Sequence, residues 1–144
     1  MIKSKKLNTN NSKCYNFYYQ NVQSIVKKYD EFIKNINLPV IKYDVILFTE
    51  TWCKDKDTSR MFGNIDYNIY RCDRDPNGGK SRGGGVVTLI SKECNSEMIY
   101  KNNKKYEILI TLIKTGVKNL IIINVYLPPL SDLVVTVTLS IKFI

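Results

Sequence analysis

A chain of 144 residues is long enough for one domain with its own core and too short for two. Its 44% hydrophobic and 11% aromatic content argues against wholesale disorder, and a formal charge of +9 favours polyanionic partners such as nucleic acid or an anionic membrane surface. Histidine is absent, which excludes a Ser-His-Asp or Cys-His nucleophile system, and any histidine general acid, built from this chain alone.

Residues 1–13 carry four lysines and no acid, and read as a basic, flexible arm. They contain no apolar run like that of a signal peptide, so an intracellular protein, nuclear or cytoplasmic and not secreted, is expected. The aromatic stretch CYNFYYQNV, residues 14–22, reads as a strand closing on Gln20-Asn21. Ser24 is placed to cap a helix whose apolar positions Ile25, Val26, Tyr29, Phe32, Ile33 and Ile36 keep the 3.6 period, and Pro39 stops it. Residues 43–48 form a second, apolar strand that breaks off at Thr49-Glu50-Thr51. Strand, helix and strand within about 35 residues is the size of a βαβ crossover, which predicts parallel neighbours.

Residues 67–71 (YNIYR) alternate like a shorter, half-exposed strand, and the loop CDRDPNGGKSRGGG follows, dense in turn formers and charge. Residues 86–90 resume strand character, and a polar segment, 101–105, separates them from strands over 106–113 and 120–125. The last two read as a hairpin turning at Gly116, with the second a central strand that ends at Pro128-Pro129. The tail alternates strictly from Val135 to Phe143 and reads as an amphipathic strand. The expected organisation is therefore an arm, 1–13, a domain, 14–130, and a divergent tail, 131–144. Cys14, Cys53, Cys72 and Cys94 form no C-x-x-C pair and are expected as reduced thiols. No apolar run approaches the roughly 18 to 20 residues that span a bilayer, so no membrane partner is expected.

Three apolar strands end in polar residues of useful kinds, Asn21, Glu50 and Tyr126. Ligands of α/β sheets bind outside the carboxyl ends of strands, so these three side chains can converge on one crevice. A lone carboxylate there suits Mg²⁺, which takes one or two carboxylates with waters and phosphates; an Asn can orient it and a Tyr hydroxyl can bond a phosphate oxygen. By position alone Glu50 also reads as a solvated strand end, Asn21 as a turn former and Tyr126 as a packed aromatic. Most basic residues are lysine, as A/T-rich coding alone produces, so the clustering of Arg71, Arg74 and Arg82 in one loop is more telling. The glycines of that loop lack the G-x-x-x-x-G-K-[ST] of a phosphate loop, and Asp75-Pro76-Asn77 reads as a turn.

In their order and spacing, QNVQS with the helix after it, YDVILFTETW, YNIYRCDRD through SRGGGV, and IIINVYLPP resemble the N-terminal half of the endonuclease/exonuclease/phosphatase superfamily. The nearest flavour is the apurinic endonuclease-like domain that opens the polyprotein of non-LTR (LINE-type) retrotransposons, and the resemblance covers residues 15–129. It implies an α/β fold, the N-terminal half of a four-layered α/β sandwich with a mixed β-sheet and a flanking helix. It also implies nicking of DNA with Mg²⁺ or Mn²⁺, and a reverse transcriptase downstream in the intact element. Carried over, Glu50 is the metal ligand, Asn21 the active-site Asn after the first strand, and Tyr126 the Tyr at the scissile phosphate. Arg71, Arg74, Lys80 and Arg82 fall in the segment near the DNA.

The family's later G-D-x-N and S-D-H have no counterpart: Ser131-Asp132 is followed by Leu133, and no D-x-N follows Tyr126. A truncated endonuclease, inactive alone, is thus expected. The alternatives are a catalytically dead nucleic-acid-binding remnant, a mobile-element fragment without function, and a phosphatase of the same superfamily.

Overall fold

A computed structural model of the chain describes residues 5–7, 14–36, 41–54, 56, 61–63, 65–78, 83–116, 118–127 and 140–143. β1 (Lys5–Leu7) pairs antiparallel with β2 (Tyr15–Asn21), so three residues of the expected arm are an edge strand. Pairing on an outer edge uses backbone groups alone, and KKL gives no side-chain pattern to announce it. α1 (Ile25–Ile36) starts directly after Ser24 and buries Ile25 and Phe32, with Tyr29 and Ile33 half-buried beside them. Val26, expected on the same apolar face, is exposed.

β3 (Val45–Thr49) buries all five of its side chains and runs parallel to β2, from Phe17 opposite Val45 to Asn21 opposite Thr49. Parallel neighbours need a crossover of a dozen residues or so, which α1 supplies as the spacing predicts. β4 (Tyr67–Cys72) and β5 (Val86–Ser91) complete a mixed sheet in the order β1-β2-β3-β5-β4, with β5 antiparallel to both neighbours.

A second, antiparallel sheet has the order β6-β7-β8-β9, from β6 (Ser96–Asn102), β7 (Glu107–Ile113), β8 (Leu120–Tyr126) and β9 (Ser140–Phe143). The expected hairpin is β7 and β8, paired from Glu107 opposite Tyr126 to Ile113 opposite Leu120. β8 is central, but its burial alternates instead of being complete. β6 has no signature in the sequence. It is paired on one side only, is largely exposed and bulges between Met98 and Tyr100, so its side chains have no need to alternate. β9 takes up the end of the tail, whose earlier residues, 131–139, lie outside the described residues, as do Pro128 and Pro129.

The period-2 geometry of β3 splits its side chains between two cores. Ile46 and Phe48 face α1 and cluster with Ile25, Phe32, Phe62, Val87 and Leu89. There the Phe32 ring meets Phe48 edge-on, centroids 4.9 Å apart. Val45 and Leu47 face the other way and cluster with Ile90 and with Ile113, Leu120 and Ile122 of the second sheet. Two sheets and one helix among the described residues give the expected α/β class. None of the four cysteines is joined in a disulfide, and no helix among the described residues is long and apolar enough to cross a membrane.

Candidate functional site

The two parallel strands β2 and β3 end side by side, and the backbone beyond them stays laced. Val22 N donates to Thr49 O at 3.0 Å, Ser24 N to Glu50 O at 2.8 Å and Ile25 N to Thr51 O at 3.0 Å. On its other side the loop after β3 is held by the glycines before β5: Thr51 N donates to Gly85 O and Trp52 N to Gly84 O. This lacing demands unusual backbone. Gln23, Ser24, Glu50 and Trp52 all have positive φ, at 45°, 85°, 54° and 56°. Left-handed conformations of non-glycine residues each cost of order 1 kcal/mol or more and cluster where geometry serves function. Here all four sit at the carboxyl ends of the two strands.

That backbone delivers the three polar side chains singled out in the sequence to one place. Asn21 Nδ2 donates to Glu50 Oε1 at 2.8 Å. Tyr126, 5% exposed at the end of β8, lies close enough for the Glu50 charge to act on its phenol. Burial, then the charge of Glu50 and its hydrogen bond, push the Tyr126 phenol up from its ordinary value, and the nearby Arg74 partly offsets them. The Tyr19 phenol is raised chiefly by burial as well, with Glu50 contributing, and its hydroxyl lies 3.1 Å from Thr49 Oγ1.

Two of the arginines expected near nucleic acid are ion-paired. Arg71 forms an ion pair with Asp73 and donates through Nη2 to Lys54 O at 2.9 Å, and its side chain is 10% exposed. Arg74 Nε donates to Glu107 Oε1 at 2.6 Å, with the two side chains 16% and 3% exposed. The guanidinium also lies over the Tyr126 ring, 5.7 Å from its centroid. Lys80 and Arg82 lie outside the described residues. Asp75-Pro76-Asn77 is a turn, as expected, with Asn77 N bonded to Asp75 Oδ1 at 2.9 Å.

The glycine run has a steric explanation that a phosphate-loop comparison misses. A Cβ on Gly84 would stand 2.5 Å from the Arg74 guanidinium, and one on Gly85 would stand 2.7 Å from Thr51 Oγ1. Only glycine lets both groups approach. Sequence reasoning also passed over Asn124, buried on β8, whose Nδ2 donates to Val87 O at 3.0 Å and Phe48 O at 3.2 Å across the sheets. A polar residue inside the apolar run IIINVY was the signal for it.

As a cation site, this cluster offers one carboxylate with an amide and a phenol beside it. Among the described residues no three of His, Cys, Asp and Glu lie close enough together to hold a metal. That donor set does not suit Zn²⁺, but it does fit Mg²⁺, which keeps most of its waters.

The fold and site define an α/β protein with a polar, strand-end site built around a single carboxylate. The chain is similar to the probable RNA-directed DNA polymerase from transposon X-element of Drosophila melanogaster, 28% identical over 86 residues. The match takes in 60% of this chain and only 9% of that protein's length. No family model matches the chain.

Proposed function

We propose that the chain carries the first part of the active site of a Mg²⁺-dependent DNA endonuclease of a LINE-type retrotransposon, within the endonuclease/exonuclease/phosphatase superfamily. The single observation that carries this reading is the 2.8 Å bond from Asn21 Nδ2 to Glu50 Oε1 at the ends of two parallel strands, with Tyr126 beside the same carboxylate. The similarity to a transposon RNA-directed DNA polymerase supports the mobile-element origin.

In this reading Glu50 holds the cation, and Asn21 fixes the carboxylate by occupying one of its oxygens. Tyr126 presents its hydroxyl as a neutral donor to a phosphate oxygen, since a phenol keeps its proton at neutral pH. The bound cation would supply Lewis-acid stabilisation of phosphoryl charge. Nothing in the sequence supplies the water-positioning Asp of G-D-x-N or the His of S-D-H, so the isolated chain is proposed to be inactive. Four-layered packing is part of the proposal, with the rest of the sandwich belonging to the intact element alongside its reverse transcriptase.

Mn²⁺ titration followed by NMR tests the cation site. The Asn21 side-chain amide signal broadens in the wild type and stays sharp in Glu50→Gln. A wild-type spectrum indifferent to Mn²⁺ would overturn the reading. Supercoiled plasmid incubated with the isolated chain and Mg²⁺ stays unnicked. A nucleic-acid-binding remnant is the second reading, favoured by the exposed Lys101, Lys104 and Lys105 around the β6–β7 turn.

A further inference from the structure

Arg74 occupies a socket made from three elements. Its Nε bonds Glu107 Oε1 at 2.6 Å, and Glu107 is the first residue of β7 and the register partner of Tyr126 on β8. The flat guanidinium rests where a Cβ of Gly84 would be, 2.5 Å from Cζ, Nε and Nη2, and it also lies over the Tyr126 ring, 5.7 Å from the centroid. A planar cation is therefore held close to a glycine backbone and over an aromatic ring while a 3% exposed carboxylate fixes its Nε. A buried carboxylate left without its cation is strongly unfavourable, so the pair holds together in the folded protein.

The geometry points to Arg74 as a positioning residue: braced by Glu107 and Gly84, it holds the Tyr126 ring so that its hydroxyl stays beside Glu50, and it does not serve as a phosphate contact. This rests on the assignment of Tyr126 to the site above. A guanidinium already paired with a buried carboxylate brings little net charge to a phosphate, whereas one packed on a ring restricts the ring's tilt. The same pair joins the loop after β4 to the second sheet, which supplies Tyr126.

The test is NMR of the full chain labelled with ¹³C-tyrosine, without divalent metal or nucleic acid, the Tyr126 ring signal being assigned by its loss in Tyr126→Phe. In Arg74→Gln and Glu107→Gln the Tyr126 signal moves and broadens, while those of Tyr15 and Tyr67 in the cores keep their positions. Arg74→Lys does not restore it, because an ammonium cannot lie flat over the ring beside Gly84. An unchanged Tyr126 signal in folded Arg74→Gln would overturn the inference. Should the single variants unfold, Arg74→Met with Glu107→Leu removes both charges at similar volume. A shifted Tyr126 signal there supports the bracing role, and an unshifted one refutes it. Failure of the cation site shows up separately, as wild-type Asn21 and Tyr126 signals that ignore Mn²⁺.

Discussion

Asn124 Nδ2 lies 3.2 Å from the carbonyl oxygen of Phe48, and the contact ties the two sheets together two residues before both Tyr126 and Glu50. The same amide reaches Val87 O at 3.0 Å and Thr88 Oγ1 at 3.3 Å, so β8 is pinned over the β3–β5 pair. Apolar contacts are non-directional and allow sliding; a buried amide with three acceptors does not. Asn124→Ala removes these bonds and leaves their acceptors buried, which costs about 1–3 kcal/mol. Urea denaturation measures that loss. On the cation-site reading proposed above, Mn²⁺ broadening at Tyr126 also weakens in this variant, since β8 is no longer pinned beside Glu50.

Gly85 and Gly116 share almost the same backbone, φ +84° and +85°, but differ in their surroundings. A Cβ on Gly85 meets Thr51 Oγ1 at 2.7 Å, and Thr51 is fully buried; a Cβ on Gly116 meets nothing within 4 Å. Gly116→Ala is therefore expected to cost about 1 kcal/mol, the left-handed penalty alone. Gly85→Ala adds a displacement of Thr51, next to Glu50, and is expected to cost roughly 1–3 kcal/mol more. Chemical denaturation of the two variants side by side isolates the steric part; equal losses would show that Thr51 moves freely.

What the sequence revealed follows from which forces leave a pattern in it. The 3.6 period over Ile25 to Ile33 and the apolar run before Thr49 each encode burial, and helix, strand and parallel pairing follow from them. Asn21, Glu50 and Tyr126 could be brought together on paper because each closes an apolar strand, and the structure does bring them together. The edge strands β1 and β6 were hidden because backbone pairing is indifferent to side-chain order. The pairing of Arg74 with Glu107 spans 33 residues and two sheets, and an arginine in a glycine loop looks the same whether it faces solvent or a carboxylate.

Tyr67 donates its hydroxyl to Tyr43 O at 2.8 Å, and its pKa is pushed up from 10.0 to about 12, first by burial and then by Asp44, Asp66 and Glu93. Folding therefore binds the phenolic proton more tightly than the unfolded chain does. The stabilisation is fully present below the unfolded pKa and is lost as pH rises through the folded one, between about pH 10 and 12. A rise of that size corresponds to at most about 3 kcal/mol. Tyr67→Phe lacks this group, so its stability falls less steeply than that of the wild type over the same window. Parallel slopes in urea denaturation at pH 10 and above would show that the Tyr67 phenol binds its proton equally well folded and unfolded.

On the nucleic-acid-binding reading proposed above, the distribution of exposed charge near the site predicts which residues set the salt dependence of duplex affinity. Arg71 is held by Asp73 and Arg74 by Glu107, whereas Lys101, Lys104 and Lys105 are exposed around the turn before β7. Asn103 Nδ2 donates to Asp73 O at 3.1 Å, which ties that turn to the arginine loop, and Glu107 pairs with Tyr126 at the same end of the sheet. Each phosphate neutralised contributes about 0.9 to the slope of log affinity against log salt. Lys104→Gln with Lys105→Gln is expected to flatten the slope by about 1 to 2, and Arg71→Gln to leave it within about 0.3 of wild type. Fluorescence anisotropy with a labelled duplex in EDTA, across a range of KCl concentrations, measures both. A slope lowered by Arg71→Gln and untouched by the lysine pair would place the duplex against the arginine loop instead.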